Sequence, residues 1–313
     1  MISLLGFIRG RAEGGSGIKR GKRYERRVAK YLYILPLLLI LAFTYLYPII
    51  RTANFSFYKL PFGGAEGEYV GFDNYSALFQ DPTFWQSLKN NGIWAFGNLI
   101  LQMILAFAIA VTLNRKMKGI SLVRTAVLLP WIVPTAAIAC VIRWVLLPNI
   151  GIVNELLIGS GLIDSAINFL GVENAMFTLV FLNSWKAIPI GVLLILSALQ
   201  TIPGDVYESA QVDGATAFQA FFRITYPIIS KMLWFTSFLI FVWGFNAFDM
   251  IWMVTQGGPN ITTQTLPIMV YRTAFKTMQL GMSSTVAVVI AAILLIIGAA
   301  YFSLMRGGNS ENE

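Results

Sequence analysis

The stretch 205-DVYESAQVDGATAFQAFFRITYP-227 decides how this chain is organised. It is polar and helix-forming, and it stands between two long apolar runs. Asp205 occupies an N-cap position with Glu208 three residues later, the arrangement of a capping box, which predicts a helix over Val206–Asp213. Gly214 interrupts that helix, and Thr216–Arg223 resumes a helical pattern bearing Phe218, Phe221 and Phe222. Pro227 is expected to close the unit before the next apolar run. Ser209, Ala210, Gly214 and Ala215 carry no bulky side chain, so another protein's groove can approach the backbone closely. A linker lying on a surface is the plainer alternative for a helix–glycine–helix segment by itself.

Outward from this insert the chain is apolar. Its 313 residues are 57% hydrophobic and 12% charged, about half the charge of a soluble domain, and the mean hydropathy is +0.68. Runs long enough to cross a bilayer as helix lie near 31–50, 93–113, 123–147, 175–199, 231–254 and 283–305. The predicted fold is therefore all-α, a polytopic membrane protein of six transmembrane helices. The expected organisation is a basic tail 1–30, a membrane domain 31–305 with an external loop 51–91, and a short tail 306–313. The net charge of +8 is concentrated ahead of the first run, where Arg9, Arg11, Lys19, Arg20, Lys22, Arg23, Arg26, Arg27 and Lys30 stand. Arg115, Lys116, Lys118 and Arg124 add to the loop between the second and third runs. The loop 51–91 instead mixes Arg51, Lys59 and Lys89 with Glu66, Glu68, Asp73 and Asp81. Positive residues stay on the cytoplasmic side, so both termini and the 205–227 insert are expected to be cytoplasmic.

The same features exclude several functions. Once the topogenic residues are set aside, no basic, aromatic-interleaved surface remains for nucleic acid. With no histidine and a single cysteine, the chain can hold neither an internal disulfide nor a His/Cys zinc site. Cys140 reads as a small packing residue in an apolar helix. Gly21-Lys22 would need glycine at 16 and Ser or Thr at 23 to form a phosphate-binding loop, but these are Ser16 and Arg23. The N-terminus reads as an uncleaved tail, because the apolar run after it is of span length.

Polar groups inside the runs are the sharpest local signal, since a charge at a helix centre costs about 2.5–3.5 kcal/mol or more. Arg143 lies close to the end of its run and can snorkel. Lys186 sits at a depth of ~18 Å at 1.5 Å per residue and calls for a wet cavity or an acidic partner. Asn183, Lys186 and Ile190 share a helical face flanked by Trp185, and Asn246 and Asp249 share another beside Phe245 and Phe248. Amide, charged and aromatic groups on two helices suit a polyhydroxylated solute, or else glue helices together. Pro36, Pro130, Pro134, Pro189, Gly191 and Gly244 mark kinks, either ordinary ones or bends around a passage.

The insert resembles the signature loop of membrane permeases in binding-protein-dependent ABC importers. The family pattern is Glu-Ala-Ala, three residues, Gly, nine residues, Ile, one residue, Leu-Pro. Glu208, Ser209, Ala210, Gly214, Ile224, Tyr226 and Pro227 occupy those places, with Ser209 and Tyr226 departing from it. The resemblance extends along the chain. GGAEGEYVGFDNYSALFQDPTFWQSLKNN (63–91) is similar to the first external loop of sugar permeases, NSWKAIPIGVLLILSALQTIP (183–203) to their fourth span, and FNAFDMIWMVTQGGPNITTQT (245–265) to their fifth span and its exit. VGFDNY and Gly257-Gly258-Pro259 resemble the maltose-type, first-permease branch of the carbohydrate-uptake group.

This resemblance implies a permease in the cytoplasmic membrane of a prokaryote, passing a carbohydrate such as a di- or oligosaccharide. It implies a heterodimer with a second, similar permease, two cytoplasmic ATPase subunits and an extracytoplasmic solute-binding protein. The chain itself would be non-catalytic and hold no cofactor, ATP and magnesium residing on the ATPases. Glu208, Ser209, Ala210, Asp213 and Gly214 would form the coupling helix seated in an ATPase cleft. Asn183, Trp185, Lys186, Ala187, Ile190, Phe245, Asn246 and Asp249 match sugar-contacting positions. A glycerol-phosphate or other anionic sugar permease, with Lys186 on the anion, is the alternative within transport. An autonomous secondary carrier is the alternative class, although no paired inverted half is visible.

Overall fold

A computed structural model of the protein describes residues 34–63, 67–115 and 118–307. The expected basic tail 1–30 lies outside the described residues, as do residues 308–313. The chain divides into two units, Met1–Asn54 and Phe55–Glu313. The described part of the first unit is helix α1, Ile34–Phe55, whose final residue opens the second unit. Its apolar side chains are exposed, the condition of a helix whose solvent is not water.

The second unit opens with a two-stranded hairpin, β1 (Tyr58–Lys59) and β2 (Glu68–Tyr69), antiparallel with Tyr58 opposite Tyr69. Helices α2 (Asp73–Gln80) and α3 (Pro82–Leu113) follow, then α4 (Ile120–Ile132), α5 (Thr135–Val145), α6 (Ile152–Gly159) and α7 (Ala175–Leu199). After α7 come α8 (Gly204–Val212), α9 (Ala217–Ala220), α10 (Tyr226–Phe245), α11 (Asp249–Val254), α12 (Leu266–Phe275) and α13 (Leu280–Gly307). Among the described residues five helical runs are long and apolar enough to cross a membrane, or six if the bent pair α4–α5 is one span. The all-α polytopic fold expected from the sequence is the one observed.

The boundaries differ from the hydropathy reading where polar residues begin or continue a helix. The second span starts at Pro82 rather than near 93, because Asp81 caps it, accepting from the Thr83 amide at 2.8 Å, and Pro82 sits at its N-terminal turn. At 32 residues it is ~48 Å long, so much of the expected loop 51–91 is helix. The third span, expected as one run, is two helices bent by 85°. Pro130 lies inside α4 and Pro134 is the extended residue from which α5 begins. A proline ring clashes with the preceding turn and offers no amide, and two of them four residues apart break the rod. Arg143 falls in the last turn of α5, and Cys140 is exposed on the same helix rather than packed.

A sequence pattern recurs in two spans. Tyr47-Pro48 and Tyr226-Pro227 each follow a single π-helical turn, Ala42–Leu46 and Phe221–Thr225. In both, the tyrosine amide reaches back five residues, to the Ala42 and Phe221 carbonyls. Widening one turn makes room for the ring and reassigns the bond that proline cannot donate. Pro227 therefore does not close the insert. Ala217–Val254 runs on as one span-length stretch, and the insert's second half is its first turns.

The bundle is built on α3, which packs along α7 and α10. Small residues permit the approach: a Cβ at Gly191 of α7 would lie 2.9 Å from Ala106, and one at Gly97 of α3 would lie 3.1 Å from Val180. Without a hydrophobic difference between helix and lipid, such close packing is a main source of association between spans.

Candidate functional site

Two sites emerge, one inside the bundle and one at its edge. The first is made by a helix that stops. α10 ends at Phe245, and α11 resumes at Asp249. The stop leaves carbonyls in the last turn of α10 short of helical donors, which membrane interiors tolerate only when other groups bind them. Here side chains bind them: Trp94 Nε1 donates to Gly244 O at 3.0 Å and Asn91 Nδ2 to Phe245 O at 3.3 Å, while Asn246 Nδ2 adds a bond at 2.9 Å to Val242 O, which also accepts from the Asn246 amide. The same Asn91 accepts from the Leu266 amide at 3.2 Å, which ties the start of α12 to the break.

The clamp is a column on α3. Asn91, Trp94, Asn98 and Gln102 follow one another at three- and four-residue steps, share one face, and are all buried. Asn98 Oδ1 accepts from Asn183 Nδ2 at 2.7 Å, Ser184 Oγ at 3.2 Å and Gln102 Nε2 at 3.1 Å, while its own amide donates to Trp94 O. One side chain thus joins α3 to α7 and, through Trp94, to the break in the fifth span. The sequence reading missed this column, although the spacing of polar residues through the second apolar run carries the signal. A second set holds the exit loop. Asn90 Nδ2 donates to the Ile261 and Gln264 carbonyls, and Gln264 joins Ser87 and Arg272.

The sugar-contact residues expected from the sequence fall in three settings. Asn183 is bound into the clamp. One turn along α7, Lys186 is half-buried, with Ala187 and Ile190 beyond it and Trp185 exposed beside it. Asn246 and Asp249 are exposed at the break, with Asp249 in the first turn of α11, where a helix N-terminus favours a carboxylate. Among the described residues, neither Lys186 nor Asp249 takes part in an ion pair. Phe245 is buried, 4% exposed, in the cluster with Leu266 and Met269, its ring centroid 5.8 Å from Phe241. The aromatic faces nearer the break belong to Phe248, stacked on Trp252 at 5.6 Å, and to Tyr271, 4.4 Å from Trp252.

The second site is α8. It begins at Gly204 after Pro203, with no side-chain cap, so the expected capping box of Asp205 and Glu208 is not formed. With Pro203 at the N-cap the helix starts two residues earlier than an Asp205 cap would give, and Asp205 instead lies in the first turn. The capping box that does exist is Thr216 with Gln219, at the start of α9: the Gln219 amide donates to Thr216 Oγ1 at 3.3 Å, and the Thr216 amide donates to Gln219 Oε1 at 2.8 Å.

α8 ends as the glycine predicts. Gly214 has φ +76°, its amide donates to Gln211 O at 3.0 Å, and the Ala215 amide donates to Ala210 O at 2.9 Å. This pair of reversed bonds is a Schellman ending, which needs the left-handed residue that glycine supplies. Nothing lies within 4 Å of the position its Cβ would take. Glu208, Ser209, Asp213 and Gly214 are exposed, Ala210 is half-buried, and Val212 is 87% exposed. On the opposite face Tyr207 is anchored to Thr225 Oγ1 at 2.9 Å.

The sequence and fold have known counterparts. A family model described as the binding-protein-dependent transport system inner membrane component matches residues 102–306. The trehalose/maltose transport system permease protein MalF of Thermococcus litoralis is 31% identical over 287 residues, 91% of this chain and 96% of its own. A chain of a bacterial ABC transporter involved in the import of the acidic polysaccharide alginate superposes with a TM-score of 0.81 at 24% identity, over 92% of this chain and 98% of that one. A second alginate transporter structure, in complex with an alginate pentasaccharide-bound periplasmic protein, gives 0.78 at 24% identity over 90% and 94%. At that identity the two structures speak for the fold.

Proposed function

We infer the function from one premise: this chain belongs to the family of binding-protein-dependent transport system inner membrane components. It is the membrane-spanning subunit of an ABC importer that passes a carbohydrate, a di- or oligosaccharide, through the cytoplasmic membrane of a prokaryote. It binds no cofactor of its own. ATP and magnesium belong to two partner ATPase subunits on the cytoplasmic face, where both termini also lie. A second, similar permease completes the passage, and an extracytoplasmic solute-binding protein delivers the sugar. A relative of the same family serves a trehalose/maltose system, and the same fold is used with a periplasmic sugar-binding protein, which supports this assembly.

The observation that carries the reading is α8. It is a short polar helix between two spans, anchored on its inner face by Tyr207 and open on its outer face at Glu208, Ser209, Asp213 and Gly214. A helix held this way transmits a push from a partner into α7 and α10 without unfolding. The break at 246–248 then offers the solute amide and carboxylate groups at Asn246 and Asp249, with Lys186 on α7. Reconstituting the chain with its partners and measuring sugar uptake against ATP hydrolysis tests the whole. Solute flux in vesicles holding this protein alone would establish an autonomous carrier instead.

A second reading keeps the machine and changes the cargo. Lys186 has no ion-pair partner among the described residues, and a chain of the same fold belongs to an importer of an acidic polysaccharide. An anionic sugar or a glycerol phosphate would then pair with Lys186. Competition of uptake by neutral sugars against sugar acids and phosphate esters separates the two.

A further inference from the structure

Where α3 and α7 end and α4 begins, a cavity of about 730 Å³ opens beside the start of α8. Three cations line it, Arg115, Lys118 and Arg124, with Gln200, Gly204 and Tyr207. The arrangement holds more donors than the chain itself uses. Arg124 Nη2 donates to Leu113 O at 2.8 Å, but its Nε is buried with no hydrogen-bond partner among the described residues. A buried donor left unpaired is unfavourable until an acceptor reaches it, and a guanidinium fork is shaped for an anion bearing two oxygens. On the same wall α8 begins without a side-chain cap, at a glycine with no Cβ to cover its amide. The first amides of a helix favour an anion. Asp205, next to Gly204, is exposed and does not line the cavity.

We propose that this cavity is a binding site for a phosphate-bearing anion, distinct from the solute passage, that braces the elbow between α7 and α8. A tetrahedral phosphate presents several oxygens at once, enough to engage the Arg124 guanidinium, the two surface cations and the helix start together. A carboxylate would leave part of that set unanswered. Two sources carry this chemistry, the headgroup of an anionic phospholipid and free phosphate or a soluble phosphate ester. The site rests on this chain's own geometry and stands or falls apart from the identity of the sugar.

The test uses the full-length chain purified in detergent. Native mass spectrometry compares phosphatidylglycerol with phosphatidylcholine of the same acyl chains. Thermal unfolding compares inorganic phosphate with chloride at equal ionic strength. Each is repeated on the R115Q/K118Q double variant, whose changes lie at the surface, and on R124Q. A preference for phosphatidylglycerol that weakens about tenfold in the double variant, as removal of two charges near an anionic headgroup predicts, supports the site and assigns a lipid. Protection by phosphate over chloride that is lost in the double variant supports it and assigns a soluble anion. If neither anion outdoes its control, or if the double variant and R124Q bind as the wild type does, the proposal is wrong.

Discussion

The break in the fifth span and the helix α8 solve opposite problems with the same groups. At the break, the interrupted backbone is held by side chains: the Gly244 and Phe245 carbonyls accept from Trp94 and Asn91 of α3, and the Val242 carbonyl accepts from Asn246. At α8 the backbone is regular, ended by its own reversed bonds at Gly214, and its outer side chains, Glu208, Ser209 and Asp213, are exposed. The first region is tied inward by the buried polar groups of α3. The second leaves them outward and waits for another surface. A part that must hold a shape while neighbouring helices move is saturated with internal bonds, and a part that must be gripped is left open.

That contrast can be broken most severely at Asn98. Replacing it with leucine strands the donors of Asn183, Ser184 and Gln102 in the core, and each buried unpaired group costs about 1–3 kcal/mol. The variant should lose most of its folded, detergent-stable population, measured by thermal unfolding of the solubilised protein, and with it all uptake. Ser184→Ala removes one donor and leaves no orphan, so its melting temperature should stay near wild type. Equal melting of both variants would mean that the clamp does not hold the fold.

Gly214→Val should do the reverse. The left-handed backbone penalises a side chain by roughly 1–2 kcal/mol, confined to an exposed turn, so insertion and melting should change little. Uptake by the assembled transporter should nevertheless fall about tenfold or more, as loss of ~1.4 kcal/mol in coupling would give, while ATP hydrolysis continues. Wild-type uptake in this variant removes the coupling role from α8.

Lys186→Ala sharpens the comparison within the first region, between groups bound into the clamp and groups left to the solute. It should assemble normally, because no partner among the described residues loses an ion pair. Its uptake should fall, with a larger fall for an anionic than for a neutral substrate. Unchanged KM and rate for every substrate would return Lys186 to a purely structural place.

Thr216→Ala carries the smallest effect. Loss of the observed cap at α9 should cost about 1 kcal/mol locally. Amide exchange over Ala217–Ala220 should quicken while global melting stays fixed. Exchange that stays slow would mean that the π turn and Pro227, not the cap, hold this helix start.

Much of this was legible beforehand, for identifiable reasons. The spans followed from hydropathy because lipid demands apolar surface over a set length, and α8 with its glycine stop followed from offsets local to one helix. Asp81 and Pro203 moved helix starts that hydropathy could not locate, since caps are polar or neutral and lie outside the apolar window. The clamp escaped because each of its bonds between helices joins residues about 85 to 175 positions apart. Nothing in one run announces which carbonyl another run will need.

By itself, then, the sequence determined the membrane as solvent, the helical class, the number of apolar runs, the polar insert and its left-handed glycine. All of these follow from short-range periodicity and backbone sterics. Only the tertiary structure decided that the third span bends by 85°, that the fifth span breaks at 246–248, and that Asn183 faces Asn98 while Lys186 takes no ion pair among the described residues. Those outcomes depend on which helix supplies the missing hydrogen bonds in a medium without water, and that is settled by packing rather than by any one segment.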